Sequence, residues 1–278
     1  MFEFQSNRND PEKLLEVLER FTKWWFFPPH SEETGVSEER LSLVALPKPL
    51  RSLYAFAGEW PGEGVYESVF SHQDHLLPFE CLEVRDGKLV FAFEKQGTWL
   101  VATDPEGDDP PVSLSDDGEP FKLLCDSLAQ FLVTFCLHEA LYGAACLSGV
   151  DDVAAINSKH AKVPIPLWLD GPYVSTTDEP RRISYFLVDG SILQTDGWCG
   201  GRVHGLDEQY PDFFPNNKTH RPPEPTVRRH LWEIPEAPQI IKTNHLNMMI
   251  DRHEAHAQTH LDTAQFYRDA LKKVEADS

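Results

Sequence analysis

Apolar positions in the first half of the chain follow two periods. Leu14, Leu18, Phe21 and Trp25 recur at helical spacing behind Asp10-Pro11, a capping residue with proline at the first helical position. They predict a helix with one apolar face. The block Trp24-Trp25-Phe26-Phe27 is expected to pack onto a sheet, with an exposed adhesive patch as the alternative. His30–Glu39 reads as a polar loop. After Leu46-Pro47-Lys48-Pro49, the residues Leu50, Leu53, Tyr54 and Ala57 line a second helix, and Gly58 ends it at the C′ position. Glu59–Gln73 carries glycines and reads as irregular. Leu76–Val84 reads as a strand broken by Pro78, and Asp86-Gly87 as a hairpin turn.

The period then shortens to two. Leu89–Phe93 and Thr98–Thr103, rich in β-branched and aromatic residues, predict a hairpin about Gly97. An acidic loop with Asp104, Glu106, Asp108 and Asp109 follows, closed by Pro110-Pro111 before a short strand, Val112–Leu114. The hairpin reads as a scaffold and the loop as something displayed on it. Asp116-Asp117-Gly118 is a turn. Ser127-x-x-Gln130 has capping-box spacing for a helix whose one side carries Leu128, Phe131, Leu132, Phe135 and Glu139, and which should cover the sheet. The class this predicts is α+β: a central antiparallel or mixed sheet with helices on one side.

A boundary is expected at Gly149–Asp152, separating an α+β domain, 1–149, from a C-terminal extension, 150–278, that need not be a domain of its own. In the extension Pro164–Leu169 reads as an edge strand, and Arg182–Val188 with Ser191–Thr195 as a hairpin. Gly197–Gly201 reads as a tight loop and Tyr210–Pro238 as a proline-rich arm. A long helix is expected over Thr243–Val274, docked on its own chain rather than in a two-stranded coiled coil.

Composition narrows the function classes. The net charge is −20 over 278 residues, and 1–150 hold 26 acidic against 11 basic residues. Such a chain repels nucleic acid and anionic membranes and attracts basic partners. The five cysteines, Cys81, Cys125, Cys136, Cys146 and Cys199, are odd in number and lack C-x-x-C spacing. With no signal peptide or membrane-length apolar run, they suggest the cytoplasm.

Glu94-x-Gln96-Gly97-x-Trp99 followed by Asp109-Pro110-Pro111-Val112 resembles the signature of the SUKH superfamily, the Smi–Knr-like proteins. Leu46-Pro47 with Gly58 resembles that family's upstream segment, and Ser127–Gly143 its closing helix. The resemblance covers 39–143; Lys95 stands where asparagine is expected and Phe121 where tryptophan is. Many relatives are immunity proteins against secreted bacterial toxins. The resemblance therefore implies a non-enzymatic protein that neutralises a cognate toxin domain, of a basic nuclease type for instance, in a stoichiometric complex. Trp60 and Tyr66 are candidate interface anchors and Asp104, Glu106, Asp108 and Asp109 a candidate acidic rim. Trp99 is a further anchor if exposed, but it alternates with Val101 on one strand face, and with Glu94, Gln96, Gly97, Leu46, Pro47, Gly58, Pro110 and Pro111 it is expected to be structural. A regulatory scaffold of the same superfamily is an alternative.

A further alternative is an enzyme built around Cys199 and His204. His253-Glu254-Ala255-His256 misses the H-E-x-x-H metalloprotease spacing, because position 257 is alanine. His253, His256 and His260 share a helix face, and Cys199, His204, His220 and His230 form a loose set, but neither matches a known zinc module. The acidic loop lacks the calcium-loop frame. Arg181-Arg182 and Arg228-Arg229 read as ion-pair partners for carboxylates rather than anion sites. No cofactor or metal is expected.

Overall fold

The computed structural model describes residues 2–26, 34–59, 69–95, 97–116, 118–144, 146–149, 164–174, 181–188, 190–196 and 198–201; of 146–149 and 199–201 it describes the backbone. The chain divides into two units, Met1–Asn217 and Lys218–Ser278. All described residues lie in the first. The expected proline-rich arm and terminal helix, the candidate anchors Trp60 and Tyr66, Gln96, and the histidines at 204, 220, 230, 253, 256 and 260 lie outside the described residues.

The alternating stretch forms the centre of an antiparallel sheet. Its strands are β1 (Asp74–Leu76), β2 (Glu83–Arg85), β3 (Lys88–Glu94), β4 (Trp99–Thr103), β5 (Val112–Asp116) and β6 (Lys122–Cys125). The order is β1-β3-β4-β5-β6, and β2 also pairs with β3. β1 and β2 thus share one edge of β3, the first beside Ala92–Glu94 and the second beside Lys88–Val90. Between them a 3-10 turn at Phe79–Cys81, entered through Pro78, takes the chain off the ladder. The stretch expected as one broken strand is therefore two. Asp86 and Gly87 both have positive φ, 51° and 76°, the mirror-image turn whose twist matches two paired strands.

Four helices accompany the sheet: α1 (Pro11–Phe26), α2 (Glu38–Leu41), α3 (Lys48–Ala57) and α4 (Leu128–Tyr142). Asp10 caps α1 by accepting the Lys13 N–H, and Leu14, Leu18, Phe21 and Trp25 are buried. Part of the expected polar loop forms α2, because Ser37 caps it and Leu41 enters the core. Gly58 ends α3 with right-handed backbone, φ −68°. Glycine is needed there for space: a Cβ would lie 2.6 Å from Val36 and 2.7 Å from the Tyr54 carbonyl.

α4 is the centre of the molecule. From Leu128 to Leu141 only Gln130 escapes full burial. A helix apolar all round is a buried helix. Phe131 meets Phe91 of the sheet edge-to-face at 5.8 Å, and α1 and α3 pack beside it. Its far side is covered by a second antiparallel sheet: β7 (Cys146–Gly149), β8 (Ile165–Tyr173), β9 (Arg181–Val188), β10 (Ser191–Gln194) and β11 (Trp198–Gly201), in the order β7-β11-β10-β9-β8. Leu167, Trp168, Ile183, Tyr185 and Ile192 belong to the same core as α1, α3 and the first sheet.

The α+β class expected from the sequence is what the described chain forms, and β8 is an edge strand and β9–β10 a hairpin as read. Two details differ. The expected tight loop at 197–201 contains strand β11, because pairing with β10 on one side and β7 on the other outweighs the low strand propensity of its glycines. Gly149, expected at a boundary, ends β7. Lys122–Cys125 pairs with β5 as the last strand of the first sheet. Where β8 crosses α4 the fit is tight: a Cβ on Gly171 would lie 2.3 Å from Thr134 Oγ1 and 2.4 Å from Trp168 Nε1. Trp168 Nε1–H donates to Thr134 Oγ1 at 2.9 Å. Among the described residues no helix is long and apolar enough to cross a membrane.

Candidate functional site

The acidic loop between β4 and β5 is braced rather than free. Asp109 is half-buried and caps α4. Its Oδ1 accepts the Ala129 N–H at 2.8 Å, and its Oδ2 accepts the Ser127 hydroxyl at 2.6 Å. Ser127 in turn accepts the Gln130 N–H at 3.1 Å. The capping box read from sequence is thus half formed, since the Gln130 side chain donates instead to the Arg8 carbonyl. Helix N-termini favour carboxylates because their first N–H groups have no partner within the helix. The Pro110 carbonyl accepts the Leu128 N–H, and the Gly107 carbonyl accepts the Lys48 N–H at the start of α3. The loop therefore ties the hairpin to two helix starts.

Its carboxylates divide accordingly. Asp109 is structural, which corrects its place in the expected acidic rim. Asp104 is half-buried and pairs with Lys88 at 2.7 Å. Glu106 and Asp108 are exposed, and Asp108 pairs with Lys48 at 2.6 Å. Asp108 holds the Lys48 ammonium above its ordinary range, with a smaller contribution from Glu12 of α1. Glu12 and Glu16 are exposed one turn apart on α1.

The other singled-out residues are mostly supports. Trp99 is 5% exposed, which removes it as an interface anchor, because it points into the core beside Val101. Glu94 holds the hairpin turn, accepting the Thr98 N–H and hydroxyl, each at 3.2 Å, while its carbonyl accepts the Gly97 N–H. Pro47 and Pro110 are buried, Leu46 and Pro111 half-buried, and the Pro111 carbonyl accepts the Thr103 hydroxyl. Arg181 pairs with Asp196 and Arg182 with Asp170.

A second polar group lies within the core at the last turn of α4. Glu139 is fully buried, and its carboxylate accepts three successive backbone N–H groups: His72 at 2.5 Å, Gln73 at 2.9 Å and Asp74 at 3.0 Å. Consecutive N–H groups of this kind form an anion nest. Asp74 is 4% and His138 2% exposed. His138 Nε2 lies 2.8 Å from the Tyr173 hydroxyl. One donor atom from each of Asp74, His138 and Glu139 lies within 4.8 Å of the other two.

Burial raises both carboxyls well above their ordinary range. Asp74 adds to the shift of Glu139 and Glu94 to that of Asp74, while the backbone N–H donors oppose it. Burial pushes His138 down to about 3, with Gln194 working against it, so its imidazole is neutral. Cys136, one turn earlier, is a buried thiol pushed up by burial. The sequence carried one sign of this cluster, a glutamate on an otherwise apolar helix side; Asp74 and Tyr173 carried none. Compared with protein-family models, curated proteins and solved structures, the chain matches none.

Proposed function

We propose that this is a cytoplasmic, non-enzymatic immunity-type protein that neutralises a basic toxin domain by forming a stoichiometric complex. The observation that carries the reading is the braced loop on which Glu106 and Asp108 are exposed. The loop is held to the starts of α3 and α4 by Lys48 N–H, Leu128 N–H and Asp109, so these charges are presented with little conformational freedom to lose. A preorganised surface spends less of its interaction energy on ordering. Complementary charge raises association rates by about 10–10³-fold at low salt. The order of motifs that resembles the SUKH superfamily supports the same class.

The test is co-expression with the product of the adjacent gene. Restored host growth and co-purification of the two chains in equal amounts are the expected results. A neighbouring product that is harmless and does not co-purify would overturn the reading.

A further inference from the structure

We propose that Asp74 on β1 with His138 and Glu139 on α4 forms a closed site for one divalent first-row transition-metal ion. The argument begins with a count of lone pairs. A carboxylate accepts at about four positions, and the nest fills three on Glu139: both on Oε2 and one on Oε1. The remaining position on Oε1 suits one monodentate metal bond. None of the described ion pairs involves Asp74 or Glu139. Two carboxylates are thus buried together without a cationic side chain.

The neutral neighbours bring no charge. His138 Nδ1 and Gln194 Oε1 are buried and have no hydrogen-bond partner among the described residues. Metal-bound imidazoles hand their second ring nitrogen to a fixed partner, and the Tyr173 hydroxyl at 2.8 Å from Nε2 is such a partner. What the described surroundings of the two carboxyls lack is positive charge.

The spacing and donor types choose the ion. Ligands about 2.1 Å from one ion in a tetrahedral arrangement stand about 3.4 Å apart. The three donor atoms lie within 4.8 Å of one another, so capture draws them together by up to about 1.4 Å. Calcium requires six to eight oxygens and magnesium a near-ideal octahedron that keeps waters. One imidazole with two carboxylates, the second restricted to one bond, suits zinc or manganese. The site's burial makes it structural. A bound ion would fasten β1 to the last turn of α4, beneath the strands that carry Tyr173 and Gln194.

The experiment uses the full chain, stripped with a chelator, reloaded with Zn²⁺ or Mn²⁺ and passed through gel filtration. The C-terminal histidines are controlled by the triple variant His253→Ala, His256→Ala, His260→Ala. Wild type and the triple variant should each retain one equivalent, and the ion should raise the melting temperature of both. Asp74→Asn should bind at least tenfold more weakly and lose the thermal shift. In chelator it should melt at or above wild type, because one of two buried carboxyls is gone. That opposite sign separates a lost ligand from a damaged fold. If Asp74→Asn does not fold, His138→Gln, which keeps a polar side chain, is read by its loss of ion retention and of the thermal shift. An ion retained equally by Asp74→Asn, an ion lost with the C-terminal triple variant, or a wild type that neither retains an ion nor melts higher with it, would each overturn the proposal and leave a carboxyl pair sharing a proton.

Discussion

Replacing Asp109 by alanine should destabilise the protein far more than removing its neighbours in the same loop. The carboxylate accepts the Ala129 N–H at 2.8 Å and the Ser127 hydroxyl at 2.6 Å. Ala129 is fully buried, so its N–H would be left without a partner or water, at a cost of about 1–3 kcal/mol. The Ser127 hydroxyl can turn to other acceptors and still caps Gln130, so its loss adds at most about 1 kcal/mol. The expected total is about 1–4 kcal/mol. Asp109→Asn keeps an acceptor for Ala129 N–H and should cost about 1 kcal/mol. Asp108→Ala removes an exposed ion pair and should cost below about 1 kcal/mol, and Glu106→Ala below about 0.5 kcal/mol. Urea unfolding followed by circular dichroism gives the four values, compared at equal slope. If Asp109→Ala falls within about 0.5 kcal/mol of Asp108→Ala, the loop is not a brace and the fixed geometry of its acidic face is lost as an argument.

Three further substitutions test the packing around α4 and the first hairpin. Gly171→Ala would set a methyl group 2.3 Å from Thr134 Oγ1 and 2.4 Å from Trp168 Nε1, both on fully buried residues, and should cost about 1–3 kcal/mol by overpacking, with a shift in tryptophan emission as its mark. Thr134→Val keeps the shape but leaves the buried Trp168 N–H without its acceptor, for a loss of about 1–3 kcal/mol in thermal or urea unfolding. Gly87→Ala places a side chain at φ 76° with nothing nearby to clash, so only backbone strain of about 1–2 kcal/mol should appear.

The first 145 residues were legible where one signal decided the outcome. Alternation through Leu89–Thr103 with Asp86-Gly87 before it gave the central hairpin, because strand pairing and a mirror-image turn are local properties. Asp10-Pro11 and Ser127 marked true helix starts for the same reason. What failed was long-range. Asp109 looked like one acid among four, since nothing in sequence says that a helix begins beside it in space. Trp99 was ambiguous until the sheet chose its inward face. The strand at 198–201 is glycine-rich and exists through its neighbours on both sides. The burial of α4 was readable in principle: Leu128–Leu141 has almost no polar side, which a helix covering a single sheet would need. Of the buried polar group, Glu139 alone left a trace, as a charge on an apolar side.

The central claim is that the protein works by binding a basic partner through the braced acidic loop that carries Glu106 and Asp108. The most direct measurement is the association rate and Kd with the co-purified neighbouring gene product at low and high salt, for wild type and for the double variant Glu106→Lys, Asp108→Lys. The account predicts association that slows steeply with salt, and a double variant slower by about tenfold or more at low salt, with its unfolding midpoint little changed. Binding that is unaffected by salt and by the charge reversal would contradict it.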